Sequence, residues 1–173
     1  MKILVISDTH GRRDRIASVL SLHPRVDALL FLGDGVRDLP SNLQEEGRLF
    51  AGVRGSCDGF SFGDSFGFSE ELCLKLDAYT VLMTHGHRYS VKSGLDLAIC
   101  HAAARGADLL LYGHTHVPDE RYLPEGTVIG ETTLKKPLWI MNPGSLGAPL
   151  DGRPTFGVIE IRRGGLLLSH GIL

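Results

Sequence analysis

Short apolar runs that end abruptly in clusters of Asp, His and Gly constrain this chain more than any other feature. Ile3 to Ile6 runs into Ser7-Asp8-Thr9-His10-Gly11, and Ala28 to Leu32 into Gly33-Asp34-Gly35. Leu49 to Val53 leads to Arg54-Gly55-Ser56-Cys57-Asp58. Tyr79 to Met83 leads to Thr84-His85-Gly86-His87, and Leu109 to Tyr112 to Gly113-His114-Thr115-His116. A short continuous apolar run is the pattern of a strand buried on both faces. In open α/β sheets ligands bind at the carboxyl ends of strands, where loops distant in sequence converge. The Asp and His residues at these strand ends are therefore expected to share one site.

Between the strands, Asp14 to Leu22 carries Ile16, Val19 and Leu20 at helical spacing and stops before Pro24. With its flanking strands it makes a βαβ unit. Leu72 to Leu76 and Tyr79 to Met83 read as a hairpin about Asp77-Ala78, and Gly59 to Ser69 as a loop. Leu95 to Ala104 is expected to be a helix with Leu95, Leu97, Ala98 and Ala102 inward, stopped by Gly106. Asp119 to Lys136 is polar and poorly periodic, a loop or irregular hairpin. Leu138 to Met141, Gly157 to Ile161 and Leu166 to Ser169 are further strands, the last two joined by Arg163-Gly164-Gly165. With no repeat or linker, residues 1–173 read as one α/β domain.

A formal net charge of −2 argues against stable nucleic-acid binding or a broad membrane footprint. No stretch approaches the roughly 18 apolar residues of a membrane span. Cys57, Cys73 and Cys100, an odd number without C-x-x-C spacing, suit reduced thiols in a cytoplasm. A soluble cytoplasmic protein is expected.

Residues two apart in extended chain point to the same side, so Asp8 with His10, and His114 with His116, can each aim two side chains at one place. Carboxylate and imidazole without thiolate suit manganese, iron, zinc, nickel or cobalt rather than a structural cysteine–zinc site. Asp34, alone between the other clusters, is the natural candidate to bridge two ions. Two ions roughly 3.5–4 Å apart can clamp the attacking and leaving oxygens of phosphoryl transfer.

Taken in order, Asp8-x-His10, Gly33-Asp34-x-x-x-Asp38, Gly55-Ser56-Cys57-Asp58, His85-Gly86-His87 and Gly113-His114-x-His116 resemble the calcineurin-like metallophosphoesterases. The likeness is to their small bacterial and archaeal phosphodiesterase branch. It runs from Lys2 to about Gly147, taking in Asn142-Pro143-Gly144-Ser145. The resemblance implies two β-sheets packed face to face, flanked by helices. It implies a first metal held by Asp8, His10, Asp34 and His116, and a second held by Asp34, His85, His114 and Ser56. Two divalent transition-metal ions, manganese first, would then serve hydrolysis of a small phosphodiester by a metal-bound hydroxide. Association with further copies of the chain is left open.

Two positions depart from the family pattern. Ser56 stands where the family has an asparagine ligand, which predicts a weaker or water-bridged second site. Cys57 stands where most of the wider superfamily has a histidine that helps the leaving group and where the small branch, like this chain, has a cysteine. A thiol is a poor proton donor to an alkoxide and is often a small buried apolar group. The chemistry should therefore favour good leaving groups or borrow an acid such as His87. Arg54 borders the site and is expected to contact phosphate. Arg12, Arg13 and Arg15 read as a solvated helix start, Asp38 and Asp58 as acids holding their loops. His23, His101 and His170 read as structural or solvated. A non-catalytic scaffold, like the retromer coat subunit that resembles this branch, is the competing function. A metallo-β-lactamase reading of His85-Gly86-His87 fails because Arg88-Tyr89-Ser90 follow where an Asp-His pair is needed.

Overall fold

The apolar runs become strands, and the alternation of their side chains sorts the molecule into layers. The computed structural model describes residues 1–41, 43, 47–59 and 67–173; most of the loop expected over 59–69 lies outside them. In chain order come β1 (Lys2–Ile6), α1 (Arg13–Leu22), β2 (Ala28–Phe31), β3 (Leu49–Gly52), β4 (Glu71–Leu76) and β5 (Tyr79–Thr84). There follow α2 (Asp96–Ala104), β6 (Leu109–Leu111), β7 (Pro118–Leu123) and the short pair β8 (Val128–Ile129) and β9 (Thr132–Thr133). The end of the chain supplies β10 (Leu138–Pro143), β11 (Thr155–Arg162) and β12 (Gly165–Ile172). Two five-stranded sheets result, ordered β12-β11-β1-β2-β3 and β4-β5-β6-β10-β7.

Successive strand residues face opposite ways, and here both faces are covered. Ile3, Val5, Ala28 and Leu30 of one sheet pack with Val81, Met83, Leu109 and Leu111 of the other. The intervening Leu4, Ile6, Leu29 and Phe31 meet Ile16 and Val19 of α1. On the second sheet Leu82, Leu110 and Ile140 meet Ala98, Ile99 and Ala102 of α2. The layers are helix, sheet, sheet, helix, the face-to-face arrangement anticipated above.

Two expectations need correction. Leu97 is exposed, and Ile99 occupies the core in its place. Leu95, Ala98, Ile99 and Ala102 follow the i, i+3, i+4, i+7 spacing of one helical face, and Leu97 falls on the other. The polar segment from Asp119 does hold an irregular hairpin, β8 with β9, but it begins with most of β7, paired antiparallel with β10 at the sheet edge. Its outward residues are charged, so no apolar period marks it, and Pro118 at its start is tolerated on an edge.

β1, β2 and β3 run parallel, as do β5, β6 and β10. Their carboxyl ends deliver the Asp- and His-bearing loops. The Asp34 and Ser56 loops touch through glycines: a Cβ on Gly33 would stand 2.5 Å from the Gly55 backbone nitrogen, and one on Gly55 2.1 Å from Asp34 Oδ1. Only residues without a side chain permit that approach.

Candidate metal centre

Seven non-glycine residues among those described have positive φ, and five of them are Asp8, His10, Asp34, His114 and His116. Such conformations cost about 1–3 kcal/mol each and persist where the surroundings over-determine them. All five lie in the loops that follow β1, β2 and β6.

The donor atoms converge. Asp8 Oδ1 lies 3.1 Å from His116 Nε2, 3.8 Å from His10 Nε2 and 4.0 Å from His85 Nε2. Asp34 Oδ2 lies 3.2 Å from His85 Nε2 and 4.0 Å from His10 Nε2. His85 Nε2 is 3.1 Å from His114 Nδ1, and His10 Nε2 is 3.3 Å from His116 Nε2. Three overlapping donor sets result: Asp8, His10 and His116; Asp34, His85 and His114; and His10, Asp34 and Cys57. Asp34 and His10 each belong to two of them, and no set among the described residues joins Asp34 with Asp8 and His116.

Ring orientation follows from the outer contacts. His85 Nδ1 is 2.7 Å from the Leu32 carbonyl, and His116 Nδ1 2.7 Å from the Ala148 carbonyl. A carbonyl only accepts, so each neutral ring keeps its proton on Nδ1 and turns a bare Nε2 inward. Each aspartate likewise spends one oxygen on structure. Asp8 Oδ2 accepts from Ser7 Oγ and the His114 N–H, and Asp34 Oδ1 from the Cys57 N–H at 2.7 Å. Asp8 is fully buried, and its Oδ1 has no hydrogen-bond partner among the described residues. A buried carboxylate oxygen among bare imidazole nitrogens is costly without a cation. The donor set therefore fits divalent metal.

The electrostatics agree. Burial opposes ionisation of Asp34, yet its hydrogen bond to His85 and that ring's charge hold the carboxyl well below the usual range. His85 is raised: burial works against its charge, but Asp34 and Asp8 outweigh it. His116 is raised by its contact with Asp8. His114 is pushed down to about 4 by burial and by the neighbouring His85.

The other candidates divide by their partners. Ser56 is exposed and its hydroxyl donates to Asp34 Oδ2 at 3.3 Å. Arg54 lines a cleft of about 410 Å³ with His10, Asp34, Cys57 and Asp58, and its Nη2 donates to Glu70 at 3.2 Å. His87 stacks beside His85 at 5.4 Å between ring centroids; its Nδ1 is buried without a partner among the described residues. Burial, with His85 nearby, holds its basicity down.

Asp38 and Asp58 do hold loops. Asp38 Oδ2 accepts from Thr9 Oγ1 and the Gly11 N–H, while Asp58 accepts four backbone N–H groups, from Asp34, Gly35, Val36 and Gly55. Asn142 ties Gly113 and Thr115 from beneath, and Ser145 Oγ donates to the Asp8 carbonyl. Arg12 pairs with Asp14 in solvent, but Arg15 is half-buried and donates to the Leu146 carbonyl, against the expected solvated role. His101 contacts Glu71, and His170 the Asn142 carbonyl.

Sequence reasoning missed three participants. Cys57, expected to behave as a buried apolar group, is exposed and faces His10 and Asp34. Ser7 and Glu70 act through Asp8 and Arg54, and neither carries a motif signal.

A helix–sheet–sheet–helix sandwich that gathers carboxylates and imidazoles from the ends of both sheets defines a metal-dependent phosphoesterase. The model of the calcineurin-like phosphoesterase superfamily domain matches residues 1–164, and the chain belongs to that family. It is 32% identical to the probable metallophosphoesterase YsnB of Bacillus subtilis strain 168 over 150 residues, covering 86% of this chain and 77% of YsnB. It is 27% identical to phosphodiesterase YfcE of Escherichia coli K12, covering 92% and 88% of the two chains. Among solved structures, zinc-complexed Vps29 of Entamoeba histolytica shares the fold with a TM-score of 0.68, 19% identity and 99% of each chain covered.

Proposed function

We propose that the chain, as one domain over residues 1–173, hydrolyses small phosphodiesters with two divalent transition-metal ions. One observation carries the reading: the buried Asp8 Oδ1, without a hydrogen-bond partner among the described residues, lies within 4.0 Å of three imidazole nitrogens. Asp8, His10, Asp34 and His116 would hold one ion; Asp34, His85, His114 and the weaker Ser56 the other. Manganese, zinc, nickel, iron and cobalt all suit these donors. Bound ions would supply positive charge to the phosphoryl group and acidity to the attacking water.

The chain's own residues set what else happens. Arg54, held by Glu70, presents a guanidinium to the cleft, where it can donate to a non-bridging phosphate oxygen. His87 is neutral near pH 7 because burial disfavours its charge, so it offers a hydrogen bond rather than a spare proton. Cys57 is no better an acid: burial and Asp34 both raise its thiol. Without a strong acid the site suits a diester with a good leaving group, in keeping with the name of its relative YfcE. The three unbridged thiols support a reducing, cytoplasmic setting.

A scaffold reading leans on the Vps29 likeness, which at 19% identity carries the fold alone. The convergence of five positive-φ donors on one point favours the hydrolase.

The test is turnover of bis-p-nitrophenyl phosphate and p-nitrophenyl phosphate by metal-free protein reloaded with each ion. The diester should be cleaved faster, and Asp34→Asn should lose both metal and turnover. If no ion binds, or Asp34→Asn turns over like the parent, the reading is wrong.

A further inference from the structure

We infer that Cys57 is a metal-ligating thiolate, joining His10 and Asp34 around the ion on the His10 side; the inference rests on the metal-centre reading above. The Cys57 sulfur, a His10 ring nitrogen and an Asp34 carboxylate oxygen all lie within 4.8 Å of one another. The Cys57 N–H donates to Asp34 Oδ1 at 2.7 Å, which fixes the backbone so that the side chain stays beside that carboxylate. Ser56, the family's ligand position, has a short arm and spends its hydroxyl on Asp34 Oδ2. The Asp8 Oδ1 that carries the metal-centre reading, buried and unpartnered among the described residues, lies 3.8 Å from the His10 Nε2 that the Cys57 set shares, and so puts a cation on this side.

The bond chemistry is simple substitution. The S–H bond breaks, its proton leaves to buffer, and a sulfur lone pair fills a coordination position; nothing is oxidised or reduced. A thiolate shifts the preference of the site away from manganese toward zinc and cobalt. It also makes occupancy sensitive to thiol oxidation, because the sulfur is exposed.

Cobalt(II) tests this directly, with equilibrium dialysis for stoichiometry and near-ultraviolet absorption for the ligand. Metal-free full-length protein given cobalt should show a sulfur-to-cobalt charge-transfer band. Cys73→Ser, on β4, and Cys100→Ser, in α2, should keep the band, and Cys57→Ser should lose it. Cobalt bound to the parent without a band overturns the inference while leaving the metal centre intact. So does a band that survives Cys57→Ser. If neither cobalt, zinc nor manganese binds, the metal-centre reading falls first and this inference with it. Because the parent spectrum alone can refute the assignment, a misfolded variant would not shield it.

Discussion

Replacing Asp58, which binds no metal in this reading, should damage the site nearly as much as replacing a ligand. Its two oxygens accept from the N–H groups of Asp34 and Gly55 at 2.7 and 2.8 Å, and of Gly35 and Val36 at 2.8 and 2.9 Å. They clamp the Asp34 loop against the loop that carries Ser56 and Cys57. An unsatisfied buried donor costs about 1–3 kcal/mol. Asp58 is half-buried, so water can re-enter and the lower end applies. Asp58→Ala should therefore cost about 3–4 kcal/mol, four donors at roughly 1 kcal/mol each. At about 2–4 °C per kcal/mol for a chain of this size, Tm falls by about 6–16 °C. Asp58→Asn keeps one oxygen but turns an amide NH₂ toward two of the donors, so about half that loss follows. Thermal melts of the metal-free chain measure the stability, and a zinc or manganese titration measures the affinity. Asp14→Ala, an exposed acid on α1, should leave both unchanged. If Asp58→Asn melts within about 1 °C of the parent and binds metal equally well, the clamp is not what orders the site.

Gly55→Ala puts a Cβ 2.1 Å from Asp34 Oδ1, so metal uptake by dialysis should drop sharply while circular dichroism stays close to the parent's. Leu30→Ala, in the fully buried layer between the sheets, should cost about 2–5 kcal/mol in urea unfolding without changing metal stoichiometry. Glu70→Gln weakens the hold on Arg54 and should raise KM for the diester with metal content unchanged; an unaltered KM would remove Arg54 from substrate binding. The pH dependence should reverse with metal. His85 and His116 are raised in the metal-free chain, so their stabilisation is complete below the ordinary histidine range and lost as pH rises through the raised values. Below that range the lowered His114 and His87 work the other way, so metal-free Tm should peak near pH 6.5 and fall by pH 8.5. Metal requires those rings neutral, so the loaded chain should instead gain stability over the same rise. A metal-free Tm that climbs from pH 6.5 to 8.5 would falsify the assignment of protons to His85 and His116.

The strands that carry the site were legible because each is apolar on both faces, as at Leu4 and Val5 or Leu29 and Leu30. The same property hid which face meets which layer, since alternation is silent when every residue is apolar. β7 was illegible for the opposite reason: an edge strand keeps its charged residues outward and shows no run. The site was legible as a constellation, because Asp and His at successive strand ends survive any error in strand boundary. Cys57 was misread because thiols are usually buried, and nothing in its neighbours announces that the third-motif turn leaves it facing His10 and Asp34.

What no spacing could settle is why Asp8 and Asp34 are fit to bind metal and Asp38 and Asp58 are not. All four follow strands. The difference is where the backbone N–H groups point. Both oxygens of Asp58 are filled by main-chain donors, whereas Asp38 has Oδ2 filled by Thr9 and Gly11 and its Oδ1 beside Arg13 at 3.9 Å instead of an imidazole. Asp8 takes its structural hydrogen bonds on Oδ2 alone, and Asp34 takes the Cys57 N–H on Oδ1 and only the Ser56 hydroxyl, at 3.3 Å, on Oδ2; each turns an oxygen toward imidazole nitrogens. A carboxylate saturated by N–H groups has no strong lone pair left for a cation, whereas one held by a single oxygen is both fixed and available. Asp8 and Asp34 both hold positive φ, and Asp38 and Asp58 do not. Strain at the ligands and clamping by the saturated Asp58 are thus parts of one device. Relieving either should cost metal before it costs the fold.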